Sequence, residues 1–341
     1  MITVQFLGIT SIAKCEQMNF LNEFLGLTRA AEEGMLHELD NAIKNAWEER
    51  KMGRMITLAA LATVVLLGVA FTALAQDITP PRVLFLSKSE GFEHSPVAVK
   101  GDRPSLAETI LGRLAQENGS PFTSTKDASL INSDNLKNYD LVCFYTQGDL
   151  TRPSKDGGAP MGEKGQAELV EWVRNGGRFM GFHSASDTFH TPANGEVTPY
   201  LKMVGAEFVT HGAQFKGTLK VVDPAHPAMA SIPPNWSFEE EWYLFKNFNT
   251  ETMHVLALLD PGEAGAKQAA YRIAPYPVIW CSAFGKGKVY FSALGHREDL
   301  WENPTFQASI VDAATWLMEE GTDGTEPNYD KVVPKDSPAE K

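Results

Sequence analysis

From Pro80-Pro81 onward the chain alternates short apolar runs with amphipathic stretches, and this alternation restricts it to βαβ units built on a mainly parallel sheet. Val83 to Leu86 reads as the first strand and Asp140 to Tyr145 (DLVCFY) as a second, buried one. Between them Pro104 opens a helix whose Leu106, Ile110, Leu111 and Leu114 share one face, and Asn118-Gly119 closes it. A later helix turns Leu169, Val170 and Val173 inward and stops at Asn175-Gly176-Gly177. Arg178 to Phe182 is then a short strand entering the segment GFHSASDTFH. Gln214 to Val222 and His254 to Leu259 continue the strand pattern. Val278 to Cys281 and Val289 to Ala293 flank Gly285-Lys286-Gly287-Lys288, a turn that favours a hairpin and gives the sheet an antiparallel edge. The last helix starts near Pro304, with Phe306, Ile310, Ala313 and Leu317 at helical spacing. One domain thus spans residues 80–319, and residues 320–341 read as a loose polar tail.

Charge limits the partners. Asp and Glu number 43 against 30 Lys and Arg, a formal charge of -13, so the electrostatic attraction that phosphate backbones need is missing and no nucleic-acid partner is expected. Cys143 and Cys281 sit inside apolar runs, where a thiol acts as a small hydrophobe; no CxxC motif and no disulfide framework is present.

The front of the chain carries a targeting signal. Met55 to Ala75 contains no charge, follows Arg50, Lys51 and Arg54, and ends in Ala73-Leu74-Ala75. Residues 52–75 therefore read as a signal peptide cleaved after Ala75, which makes the expected location periplasmic or secreted. The same run is long enough for an inner-membrane anchor if it stays uncleaved, and in either case the positive flank leaves the main domain outside the cytoplasm. Residues 1–51 are a doubtful extension for such a signal. Either the start codon is assigned too far upstream, or the segment is a cytoplasmic helix with Leu36, Leu39, Ile43 and Trp47 along one face.

Three polar clusters follow strands: Ser87 to His94, Gly181 to Asp187, and Gly295 to Asp299. Strands of one parallel sheet deliver such loops to a single rim, where open α/β sheets place ligands. His183 and His296 each follow a buried strand directly, which makes them the candidate proton-transfer groups near neutral pH. Glu239-Glu240-Glu241-Trp242-Tyr243 combines carboxylates that accept bonds from hydroxyls with aromatic faces that cover the C–H side of a sugar, and Trp280 offers a further face. The bland alternatives are a solvated acidic face and core aromatics. His190, His226 and His254 read as structural. Neither H-E-x-x-H nor another compact ligand spacing occurs, so a divalent metal would need ligands gathered from separate loops. There is no P-loop and no G-x-G-x-x-G after a strand, so a nucleotide cofactor is not indicated.

The succession EWVRNGGRFMGFHSASDT, VGAEFVTHGAQF, DPAHPAM, EEEWYLF, PVIWCSAFGKGKVYFSALGH and NPTFQASIVDAATWLM resembles the trehalose-utilisation (ThuA-like) family in order and spacing, over roughly Arg82 to Met318. The resemblance implies a flavodoxin-like three-layer αβα sandwich of the class I glutamine-amidotransferase superfamily, and an activity on trehalose or a related sugar. In amidotransferases the strand-to-helix elbow reads G-x-C and a later H-x-E completes the triad. Here Gly181-Phe182-His183 puts imidazole where the thiol stands, while His296-Arg297-Glu298 keeps the H-x-E pattern. A glutaminase thioester requires a thiolate, so that activity is not expected. The positions that match are His94, His183, Asp187, His211, Glu241, Trp242, Tyr243 and His296. The expected roles are catalysis by His183, His296, Glu241 and Asp187, with His94, Ser184, His211, Trp242, Tyr243 and Trp280 binding a small-molecule carbohydrate. A non-catalytic sugar-binding module and a Ser184-dependent hydrolase are the alternatives; the second lacks the G-x-S-x-G elbow.

Overall fold

The computed structural model describes residues 80–101 and 103–337, and Glu38 apart from them. The targeting run at 52–75 lies outside the described residues, as does the extension before it except for Glu38. Among the described residues no helix is long and apolar enough to cross a membrane. The chain divides into the units Met1–Thr79 and Pro80–Lys341, and the second is the one described below.

Its chain order is β1 (Val83–Leu86), α1 (Leu106–Glu117), β2 (Phe122–Thr125), β3 (Leu141–Phe144), α2 (Gly165–Arg174), β4 (Arg178–Phe182), α3 (Pro199–Val204), β5 (Glu207–His211), β6 (Phe215–Val221), β7 (Asn235–Glu240), β8 (Tyr243–Lys246), β9 (His254–Asp260), β10 (Tyr276–Phe284), β11 (Gly287–Ser292) and α4 (Pro304–Met318), with single-turn helices between. Nine strands form one sheet in the order β2-β1-β3-β4-β11-β10-β9-β6-β7, while β5 and β8 pair separately. The strands from β2 to β11 are mutually parallel, and from β11 onward each neighbour is antiparallel.

Two physical rules follow the chain through this sheet. From β1 it moves outward to β2, then returns past β1 to β3 and on to β4. The crossovers β1-α1-β2 and β3-α2-β4 thus run in opposite directions, and right-handed connection places α1 and α2 on opposite faces. Accordingly α1 packs with α4, and α2 with α3. The reversal between β1 and β3 is also a topological switch point, where a crevice opens beyond the strand ends. The strands β1 and β3 are buried along their whole length, and β9 along all but its last residue.

Local chemistry sets the ends of the elements. α1 starts at Leu106, two residues past Pro104, because Ser105 and Glu108 form a reciprocal capping box. The antiparallel part of the sheet extends beyond the β10–β11 hairpin to β9, β6 and β7, since the turn at Gly285 continues a meander. β2 (FTST) is polar and only half-buried at the sheet edge, so it gives no apolar run to read. The segment after Glu320 departs from the loose tail expected of it. His254 Nδ1 bonds the Glu326 carbonyl, Asn328 Oδ1 accepts from Val255 N–H at 2.7 Å, and Tyr329 and Val333 are buried. Few apolar side chains are needed to dock a strap held by backbone and amide bonds. Cys143 and Cys281 are both free and buried.

Candidate active site

Because β11 runs parallel to β4, and β11, β9 and β7 point the same way through successive antiparallel pairs, the C-terminal ends of β1, β4, β11 and β7 lie on one rim. In a flat sheet β7 would stand about 19 Å from β11, four spacings of roughly 4.8 Å. Yet Glu240, at the end of β7, accepts a bond from Gly295 N–H just after β11, at 3.4 Å. The antiparallel half therefore curls back over the rim, carrying Glu241 to the loops of the parallel half.

Each side chain of the rim is placed by its strand end. His183 follows β4 at once with φ 41, a left-handed conformation that a non-glycine residue holds only under constraint. Gly181, two residues earlier, has no room for a side chain: a Cβ there would stand 2.9 Å from the Phe291 ring. Gly295, at φ 119, turns the chain so that His296 enters the rim after β11. His94 precedes the single helical turn Ser95–Val97. His211 ends β5 directly opposite Tyr243, which begins β8.

These groups converge. One ligating atom from each of His94, His183, Glu241 and His296 lies within 4.8 Å of the others. Glu241 is the hub: Oε2 is 3.0 Å from His296 Nδ1 and 3.5 Å from His183 Nε2, and Oε1 is 3.1 Å from His211 Nδ1. His183 Nδ1 is 2.8 Å from the Ala293 carbonyl oxygen. That bond fixes the tautomer with the proton on Nδ1 and leaves a lone pair on Nε2. His94 Nε2 is 3.2 Å from the Tyr243 hydroxyl. The Tyr243 ring covers His183 at a centroid distance of 4.0 Å.

Burial and charge pull the protonation states apart. Burial pushes the His94 imidazole down to about 2, helped by the neighbouring imidazoles, and burial lowers His183 as well. For Glu241 burial works upward but is outweighed by the contacts to His183 and His296, which leave the carboxylate well below its ordinary range. Burial opposes charge on His296 too, yet Glu241 prevails and raises it. Glu240, fully buried, is pushed up to about 7. Near neutral pH the rim thus holds the Glu241 carboxylate beside two neutral imidazoles, those of His94 and His183.

Other expected residues stand elsewhere. Trp242 and Trp280 are core side chains: their indole N–H groups donate to Phe215 O and Val204 O, and neither is exposed. Asp187 bonds residues outside the cluster. It accepts from Gln147 Nε2 at 2.9 Å and lies 2.5 Å from His190 Nε2, whose other nitrogen meets Glu207. Ser184 Oγ is buried with no bonding partner, so no base activates it as a nucleophile. Sequence reasoning passed over Glu240, because nothing in a run of three glutamates shows which one turns inward. It also passed over Phe92, 63% exposed with its ring 4.9 Å from His94. An aromatic residue amid Ser87 to His94 was the available signal.

Beside His296 an open cleft of roughly 540 Å³ is lined by Ser95, Gln214, Arg297, Glu298, Asp299 and Glu302. Arg297 is held bidentately by Asp299 at 2.8 Å.

Comparison with known proteins agrees with this architecture. A ThuA-like protein from Bacteroides uniformis superposes with a TM-score of 0.55 at 18% identity, the match covering 74% of this chain and 98% of that one. Another from Parabacteroides merdae gives 0.52 at 17% identity, covering 77% and 96%. No curated protein matches. The ThuA family, described as trehalose utilisation, matches residues 82–317, and on that span the chain belongs to the ThuA family.

Proposed function

We propose that this protein is exported and acts on a neutral carbohydrate, a trehalose-type glycoside or its keto derivative, through the histidine–carboxylate cluster at the rim. The observation that carries the reading is the placement of His296 at the mouth of a polar cleft, with Glu241, His183 and His94 buried behind it. Hydroxyl, amide and carboxylate groups line that cleft, and these pair naturally with sugar hydroxyls. Exposed Phe92 offers an aromatic face to the C–H side of a ring.

Charge selects within the class. The cleft holds three carboxylates and one guanidinium already engaged by Asp299, so a phosphorylated sugar meets net repulsion while a neutral one does not. Next to a keto group, removal of a carbon-bound proton is the step that suits imidazole and carboxylate. Lacking a thiol at the elbow, the protein has no nucleophile for glutamine hydrolysis. The uncharged run before Gln76 supports export.

The test is incubation with a keto-glycoside in deuterated water, following deuterium at the carbon beside the carbonyl by NMR, with binding measured in parallel by calorimetry. Wild type is expected to bind the neutral sugar, to reject its phosphate ester and to exchange, while His296→Ala keeps binding and loses exchange by about 100-fold or more. Binding without exchange or turnover would identify a sugar-binding module instead, and no binding of any neutral glycoside would refute the proposal. The mature N-terminus is expected at Gln76, and recovery of the intact leader on the exported protein would refute cleavage.

A further inference from the structure

We infer that His94, His183, Glu241 and His296 form a binding site for one first-row divalent transition-metal ion, of the Zn²⁺ class. The inference deepens the proposed function, since it rests on reading this rim as the reaction site and adds the ion that the cluster holds.

The geometry points to a cation at the centre of the cluster. His183 Nε2 and His296 Nδ1 are buried and have no aligned hydrogen-bond partner, although Glu241 Oε2 lies 3.5 and 3.0 Å away. Close but misaligned contacts arise when donor atoms face a common point and not one another. Nδ1 of His94 is likewise unpartnered and buried. An orphaned buried nitrogen costs about 1–3 kcal/mol, so three in one place call for a shared partner. The four ligating atoms span at most 4.8 Å, whereas tetrahedral ligands at 2.0–2.1 Å stand about 3.4 Å apart. Binding would therefore draw the set inward by roughly 1 Å or less, within the reach of side-chain rotation.

The surroundings hold these ligands in the form a metal needs. His183 is oriented by the Ala293 carbonyl and His94 by the Tyr243 hydroxyl, while His211 Nδ1, bonded to the Gly212 carbonyl, also lies 3.1 Å from the other oxygen of Glu241. Such outer partners fix ligand tautomer and direction. Three imidazoles and one carboxylate, without thiolate, suit Zn²⁺, Co²⁺, Mn²⁺ or Fe²⁺ in preference to Ca²⁺ or Mg²⁺, which take oxygen ligands. His296 is the member nearest solvent, so an open coordination position would face the cleft, where a sugar oxygen or water could be polarised.

The experiment uses the full purified chain, stripped with chelator and titrated with Zn²⁺ and Co²⁺ in the absence of sugar. We expect one equivalent per chain by elemental analysis, and visible Co²⁺ absorption of four- or five-coordinate character. Glu241→Gln and His296→Ala should each weaken binding by about 100-fold or more while circular dichroism stays unchanged. His226→Ala serves as the control, because His226 packs on Cys281 at 3.7 Å, close to His254 at the start of β9 on the opposite rim. Absence of stoichiometric binding overturns the inference. So does binding that survives Glu241→Gln and His296→Ala, or that His226→Ala abolishes. Should Glu241→Gln fail to fold, the solvent-facing His296→Ala decides alone. Sugar binding and deuterium exchange measured on the stripped protein separate the two claims: exchange without metal leaves the sugar reading standing and removes the ion from it.

Discussion

Glu240→Gln probes the curl that brings β7 to the rim, because it alters a carboxyl sealed by that curl. Glu240 is fully buried, with Oε1 accepting from Glu241 N–H at 2.8 Å and Oε2 from Gly295 N–H at 3.4 Å. Burial raises its carboxyl from an ordinary 4.5 to about 7, only partly offset by those bonds and by His296. An acid with a raised folded pKa contributes stability below its unfolded pKa and loses it as pH rises through the folded one. Below about pH 4.5 both states keep the proton. From there to about pH 7 only the unfolded chain releases it, and the penalty on folding grows by about 1.4 kcal/mol per pH unit to roughly 3 kcal/mol. Glutamine removes this penalty but turns an amide N–H toward Gly295, a loss of about 1 kcal/mol. The variant is thus expected to be more stable than wild type by about 2 kcal/mol at pH 8 and slightly less stable at pH 4.5. Thermal unfolding with chelator present should show a midpoint raised by about 4 °C at pH 8 and not at pH 4.5. A midpoint lowered at pH 8, or equal changes at both pH values, would refute the placement of Glu240 in a dry enclosure.

Two further outcomes follow from the same structure. The hydrogen bond to Asp187, opposed by burial and aided by Glu207, raises His190 to about 9, so its contribution is present below pH 6.5 and fades as pH climbs through 9. The ring is half-exposed, so His190→Ala should cost only about 1 kcal/mol in urea unfolding at pH 6 and almost nothing at pH 10; a cost independent of pH would contradict the ion pair. Gly181→Ala should destabilise by about 1–3 kcal/mol in urea unfolding, since its Cβ would press on Phe291 and on Ala185, 3.3 Å away; an unchanged midpoint would show that the elbow has slack.

Much of the frame was legible before any coordinates. Val83–Leu86 and Arg178–Phe182 are strands as read, because a short apolar run buried on both sides has few other ways to hide its backbone. The position of His183 and His296 at the rim was legible for a related reason: polar residues directly after such strands emerge there. Trp280 and Trp242 show the limit of that reasoning. An aromatic residue in a strand has two faces to choose between, and only packing against Val204 and Phe215 put both in the core.

What the amino-acid order determined alone was local: the helix stop at Asn118-Gly119, the turn at Gly285 and apolar runs that must pair. Tertiary structure alone decided that Glu241, more than fifty residues from both His183 and His296, is the carboxylate that joins them. That contact depends on how far a nine-stranded sheet curls, a sum of small twists over many strands, and no short stretch of sequence encodes such a sum.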